Sequence, residues 1–198
     1  MQTIDILVLI DLILFYVLFI GRTVMLYKKG VKVWVIGKST KKAFEIILEN
    51  ILFPVLTVWS VFIVLTALHI PLPGIISNYV LRVSWIQYAG IALCYLGIII
   101  FLLALLSFGK AWRIGIDKDN SNDLITSGIF KYSRNPIFLF MDLYFVGIML
   151  IYPNIIFVLV AIGAVIGIHL QILREEKYLS QKFGEKYSAY KKYTRRYF

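Results

Sequence analysis

Residues 85–106 read WIQYAGIALCYLGIIIFLLALL, a run without one charged side chain. A helix needs about 20 predominantly apolar residues to cross the hydrocarbon core of a bilayer, so the run predicts a transmembrane helix from Trp85 to Leu106. Four further stretches predict spans on either side. Upstream lie Thr3 to Ile20, interrupted by Asp5 and Asp11, and Ile51 to Ile70, with Pro54 as a kink or entry point. Downstream lie Pro136 to Tyr152, containing Asp142, and Asn154 to Ile172, with His169 near its end. Only Pro153 and its neighbours separate the last two, which predicts a tight antiparallel helical hairpin.

The composition agrees with this reading. Of the 198 residues, 60% are hydrophobic and 16% charged, and the mean hydropathy is +0.82. Soluble domains lie near half apolar and a quarter charged, so a disordered chain, a collagen-like fibre and an ordinary cytosolic enzyme are excluded. The single cysteine, Cys94, excludes an internal disulfide framework and a Cys-based zinc site. Net charge is +10, from 21 Lys and Arg against 11 Asp and Glu. All the basic residues except Arg82 fall in three segments: Arg22 to Lys42, Lys110 to Arg134, and the tail from Arg174. Alternating with apolar runs, they predict loops facing anionic lipid rather than a nucleic-acid surface. Five spans bring all three segments to one face, which the positive-inside rule makes cytoplasmic. The expected fold is therefore an all-α, multi-pass membrane protein with five transmembrane helices, the N-terminus outside and the C-terminus cytoplasmic. It forms one domain over residues 1–198: three spans up to about residue 106, then a loop, the hairpin and a tail. No cleavable leader is expected, because a basic n-region and a small-residue cleavage site are both missing.

The polar residues that could carry chemistry gather around the hairpin. The loop Ser107 to Arg134 holds an exposed turn at Asp119 to Asp123 and glycines at 109, 115 and 128, read as bends or points of close approach. It ends in Gly128-Ile-Phe-Lys-Tyr-Ser-Arg-Asn-Pro136, where Pro136 suits a first helical turn. Asn135, directly before it, can fix the loop, contact a ligand or cap the helix. Glu175 and Glu176 follow the fifth span, where the helix dipole disfavours carboxylates, so a cation beside them is expected. The fifth helix should continue into water as far as Phe183, stop at Gly184 and be followed by a short basic, aromatic helix. Gly163 and Gly167 read as a close-packing pair in the fifth span. There is no G-x-G-x-x-G or P-loop signature, and neither His69 nor His169 has metal-ligand spacing, so no metal is expected.

From Leu124 to Tyr190 the chain resembles the isoprenylcysteine carboxyl methyltransferases and, more distantly, the phospholipid methyltransferases. The family pattern is Gly-x-Tyr-x-x-x-Arg-His-Pro-x-Tyr, a helical hairpin, Glu-Glu, then Phe-Gly-x-x-Tyr-x-x-Tyr. Here it reads Gly128, Phe130, Arg134-Asn135-Pro136, Phe138, Glu175-Glu176, Phe183-Gly184, Tyr187 and Tyr190, with spacing kept. The chain departs at Asn135, where the family has His, and at Phe130 and Phe138, where it has Tyr. The resemblance implies an integral-membrane enzyme that uses S-adenosylmethionine in a pocket on the cytoplasmic side. It implies cofactor contacts from Asn122, Asp123, Leu124 and Ile125, from Phe130, from Asn135, Pro136, Ile137 and Phe138, and from Glu175. Gln171 takes the place of a substrate-side arginine. A carboxylate suits the sulfonium and ammonium of such a cofactor, and Arg134 or the N–H groups opening the fourth span suit its carboxylate. The catalytic candidates are Arg134, Glu176 and Asp142, with His169 as a further base; an intramembrane carboxylate such as Asp142 or Asp11 is a functional candidate in its own right.

The implied reaction moves a methyl group to a lipophilic small molecule or lipid-linked acceptor bearing a carboxylate, thiol or amine. Two alternatives remain open on the sequence. One is a membrane reductase using NADPH, because sterol reductases share a similar C-terminal hairpin. The other is a non-catalytic membrane scaffold with a degenerate pocket. The five-span expectation has a direct test. Cysteines introduced singly at Lys38, Asn120 and Ser188 should all label from the cytoplasmic side; labelling at Asn120 from outside would remove both the topology and the shared pocket.

Overall fold

The computed structural model describes residues 2–31, 43–71, 74, 79, 83–109 and 123–198. Six α-helices stand among them: α1 (Thr3–Lys28), α2 (Ala43–Ala67), α3 (Ser84–Phe108), α4 (Pro136–Ile151), α5 (Ile155–Phe183) and α6 (Glu185–Tyr193), with a 3-10 turn at Gly128–Lys131 ahead of α4. No strand occurs among the described residues; isolated bridges pair Tyr79 with Asn154 and Ser133 with Arg195. Each of the five expected spans falls on a helix. Three helices, α1, α3 and α5, are long and apolar enough to cross a membrane, whereas α4 and the apolar part of α2, Pro54–Ala67, are shorter. Pro54 lies inside α2. Large apolar side chains such as Val58 and Leu106 point outward, as a bilayer-facing surface requires and a soluble one avoids.

Helix ends differ from the hydropathy boundaries where polar residues continue the helical hydrogen bonding. α1 runs on through Arg22 to Lys28, and Arg22 Nη2 donates to the carbonyl of Gly109 at the end of α3 (2.6 Å). α5 continues through Glu175-Glu176 to Phe183, as the sequence predicts, and Gly184, at φ 52°, stops it before α6 begins. The residues between α4 and α5 make the expected turn. Asn154 caps α5 by accepting from the N–H of Phe157 (3.0 Å), and Gln87 Nε2 on α3 donates to the carbonyl of Ile151 at the end of α4 (2.9 Å). Asp5 is fully buried at the start of α1, where it accepts from Gln2 N, faces His69 Nε2 and accepts from the Tyr152 hydroxyl. One carboxylate thus ties α1 to the end of α2 and to the hairpin turn. Asp11 is also buried, and neither of its oxygens has a hydrogen-bond partner.

Among the described residues, α3 and α4 make the most extensive helix contact, and glycine permits their close approach. A Cβ on Gly147 would lie 2.5 Å from Cys94 Sγ and 2.8 Å from the carbonyl oxygen of Gly90; one on Gly90 would lie 2.6 Å from the carbonyl oxygen of Gly147. Small residues that let backbones approach are a common device where lipid removes the hydrophobic drive for association. Gly163 and Gly167 do not play this part among the described residues. Both are exposed and have open space where a Cβ would stand, because α5 buries another face, through Phe157, Ala161, Ile168 and Ile172. Gly147→Ala should therefore overpack the α3–α4 crossing and cost about 1–3 kcal/mol. Gly163→Ala should be neutral, or stabilising by up to about 1 kcal/mol through helix propensity. Thermal unfolding of the two variants in one detergent distinguishes these outcomes.

Candidate functional site

The loop entering α4 is fixed from both sides. Gly128 has φ 63°, and a Cβ there would strike Ser107 at the end of α3. The Ser107 hydroxyl accepts from the N–H of Ile129 (3.1 Å) while donating to the carbonyl of Leu103 (2.8 Å). Phe130 is buried edge-on against Phe108, with ring centroids 4.9 Å apart, and its carbonyl accepts from the Tyr190 hydroxyl on α6 (2.6 Å). These contacts set where Ser133, Arg134 and Asn135 emerge before Pro136.

There they meet the far part of α5, beyond its apolar run. Glu176 is 5% exposed, so its charge needs partners inside the protein. Arg134 Nη2 and Nε donate to Oε1 at 2.7 and 3.2 Å. Arg196, from the tail after α6, donates through Nη2 to Oε2 (2.9 Å) and through Nε to Oε1 (3.2 Å). Asn135 Nδ2 adds a longer contact to Oε1 (3.4 Å). Burial alone would raise the Glu176 pKa, but the hydrogen bonds and charges of Arg196 and Arg134 outweigh it and hold the carboxyl at about 2. The cation expected beside these acids is thus two guanidinium groups. Asn135 does not cap α4 with its side chain; its amide binds Glu176 and the carbonyl of Arg196 (3.2 Å), so it fixes the loop to the tail.

The other sequence-predicted residues take varied positions. Asn122 lies outside the described residues. Asp123 is exposed, while Leu124 and Ile125 are half-buried, with Ile125 against the core. Pro136 is buried as the first residue of α4, and Ile137 and Phe138 are half-buried in its first turn. No described residue accepts from the N–H groups of Ile137 and Phe138, so this helix N-terminus retains free donors. Glu175 is exposed and accepts no hydrogen bond from a described residue, and desolvation together with the neighbouring Glu176 charge pushes its carboxyl up to about 7. Gln171 and Asp142 are half-buried, and Asp142 Oδ1 has no hydrogen-bond partner. The structure therefore brings Arg134, Asn135 and Glu176 into one cluster, with Glu175 one residue away.

Sequence reasoning missed Arg196 and Tyr197. Tyr197 places its hydroxyl 3.1 Å from His169 Nδ1 on α5. The available signal was the need for a cation at Glu176, together with the stop at Gly184, which turns the chain back toward the hairpin.

Apolar helices whose buried ionic cluster sits at helix ends, outside the apolar runs, define a membrane-embedded protein with a polar site at its margin. Residues 85–186, more than half of the chain, match the phospholipid methyltransferase family, and the chain belongs to it. This is a family of membrane methyltransferases, and the match takes in α3, the Gly128–Pro136 run, the hairpin and both glutamates. A comparison with curated proteins returns no significant match.

The ion cluster predicts a pH signature. A carboxyl held at about 2 when folded, against 4.5 ordinarily, contributes stability above pH 4.5 and loses it as pH falls toward 2. The difference in melting temperature between the wild type and Glu176→Gln should be full at neutral pH and close across that window. A gap that is constant with pH would mean that Glu176 is not ionised in the folded protein.

Proposed function

We propose that this chain is an integral-membrane methyltransferase that takes its methyl group from S-adenosylmethionine and delivers it to a lipophilic or lipid-linked acceptor. The observation that carries the reading is the contrast between the two adjacent glutamates. Glu176 is neutralised by two guanidinium groups, while Glu175 is exposed and without a hydrogen-bonded partner. Desolvation and the adjacent Glu176 charge push the Glu175 carboxyl up to about 7, and a bound cation would hold it ionised, so it is suited to the ammonium or sulfonium of the cofactor. The free N–H groups of Ile137 and Phe138, at the positive end of α4, suit its carboxylate. The half-buried Leu124 and Ile125 offer apolar surface for the adenine, while Phe130, buried against Phe108, backs the loop behind them. The residues present thus fit the group in charge and in polarity.

When bound, S-adenosylmethionine supplies an electrophilic methyl carbon and a neutral thioether leaving group. The protein's part is alignment and exclusion of water. In this reading Arg134, Asn135 and Glu176 form the rigid frame. Glu176 acts there as an anchor and not as a base, because a carboxyl with a pKa of about 2 does not take up a proton at neutral pH. An ionised carboxylate or thiolate acceptor needs no base; for an amine acceptor, Asp142 and His169 on the hairpin are the candidates. Gln171 remains the proposed acceptor-side residue.

Calorimetric titration of the detergent-purified protein with S-adenosylmethionine, S-adenosylhomocysteine and NADPH tests the proposal. The first two should bind and the third should not; binding of NADPH alone would favour a reductase. Glu175→Ala should weaken S-adenosylhomocysteine binding by about 2–5 kcal/mol, the usual cost of removing one partner of a desolvated charge pair. Unchanged affinity would remove Glu175 from the site.

A further inference from the structure

The tail beyond α6 lies outside the residues that match the family, yet it bonds to the site through consecutive residues. Thr194 leaves α6 in extended conformation, and Ser133 and Arg195 form a parallel bridge. The carbonyl of Thr194 accepts from Arg134 Nη1, and that of Arg195 accepts from the Arg134 N–H (3.0 Å). The carbonyl of Arg196 accepts from Asn135 Nδ2 (3.2 Å) and the Ser133 hydroxyl (3.4 Å). Side chains continue the pattern: Arg196 grips both oxygens of Glu176, and Tyr197 meets His169. His169 and Glu176 are two turns apart, so the tail follows one face of α5.

We propose that Thr194–Tyr197 is a built part of the site and that Arg196 is a positioning residue. By engaging Glu176 it fixes the carboxylate that orients Arg134 and Asn135, and it leaves Glu175 as the carboxylate available to a cationic ligand. Successive residues on a helix point about 100° apart, so Glu175 faces away from the tail while Glu176 faces it. Without Arg196, Glu176 keeps one guanidinium and gains an unmatched oxygen, and it then competes with Glu175 for a cation. The tail is not a lid that must leave. Ser133, Asn135 and the Arg134 side chain are all less than 10% exposed, and removing the tail would strand their donors.

The ligand side of this inference rests on the methyltransferase reading, so the test carries one measurement that does not. Arg196→Gln and Arg196→Lys are compared with the wild type, well below each melting temperature, for S-adenosylhomocysteine affinity and for hydrogen exchange over residues 128–139. Arg196→Gln should raise exchange there, leave α3 unchanged, and weaken binding about 10- to 100-fold, the range seen when a group orienting ligand-contacting residues is lost. Arg196→Lys should recover part of both. A purely structural tail would lower the melting temperature without moving the affinity of the folded protein, and a closing latch would make Arg196→Gln bind more tightly; either result overturns the proposal. If the glutamine variant does not fold, the lysine variant carries the comparison, and affinity and exchange equal to the wild type would overturn it. Absence of wild-type binding with the exchange change present would overturn the cofactor assignment and leave the tail's role standing. Unchanged exchange in Arg196→Gln would overturn the tail's role whatever the wild type binds.

Discussion

A carboxylate removed from water must meet cations and donors that replace its hydration, and Glu176 imposes that condition on three separate parts of this chain. Removing two or three charges from water costs several kcal/mol per ion before their mutual attraction returns any of it. The geometry must therefore be closely satisfied, and it is: each oxygen of Glu176 accepts from a guanidinium, and Oε1 also meets the Asn135 amide. Arg134 arrives from the loop before α4, Arg196 from the tail after α6, and Glu176 from α5 past its apolar run. Displacing any one of them leaves a buried charge unmatched, so the loop, the hairpin and the tail hold their relative positions together.

The other end of that loop is anchored by packing. α3 and α4 cross at Gly90 and Gly147, where nothing larger fits between the backbones. That crossing places the end of α3 so that Ser107 can bind the Ile129 N–H and Phe108 can meet Phe130. The segment Ser133–Asn135 is then held between an apolar contact on one side and an ionic one on the other. α4 itself is short; its placement comes from its neighbours more than from its own length.

Much of this was legible in the sequence because hydropathy and helix chemistry are local. The five apolar helices, the tight hairpin turn, the stop at Gly184 and the short tail helix follow from runs and breakers that need no partner to be read. The need for a cation at Glu175-Glu176 followed from the helix dipole alone. What sequence could not supply was the partner. Gly163-x-x-x-Gly167 and the pair Gly90 and Gly147 are equally suited to close packing, and only the three-dimensional arrangement decides that the second pair is used within the chain. Two adjacent glutamates look interchangeable until a helical phase assigns one to the tail and the other to the exterior. Asn135 before Pro136 has the residue type of a helix cap, yet its amide is drawn to Glu176 and the Arg196 carbonyl, because a buried carboxylate is a stronger acceptor than the alternatives. The expected end of the first span fell short of the true helix end, since α1 runs on through Arg22 to Lys28, whereas the continuation of α5 to Phe183 is legible in the sequence.

Under the proposed methyltransferase reading, the arrangement of charge bears on the kind of ligand the cluster would suit. With both glutamates ionised, Arg134, Arg196, Glu175 and Glu176 sum to zero, but not uniformly. The buried cluster holds two guanidinium groups against one carboxylate and so keeps an excess positive charge, reinforced by the free N–H groups opening α4. The compensating carboxylate is Glu175, on another face of α5; desolvation and the charge of Glu176 push its carboxyl up to about 7, so a cation bound beside it would hold it ionised. A purely cationic ligand would satisfy Glu175 and leave the α4 end bare, and a purely anionic one would do the reverse. A ligand carrying both a cation and an anion complements both in charge, which is the character of an amino-acid group. The α-ammonium and carboxylate of S-adenosylmethionine form such a pair, with the sulfonium as a further positive centre. In a protein whose long helices are largely apolar, a dipolar site of this kind has to be assembled at helix ends, because only there can the chain bring in charges of both signs without burying them in lipid.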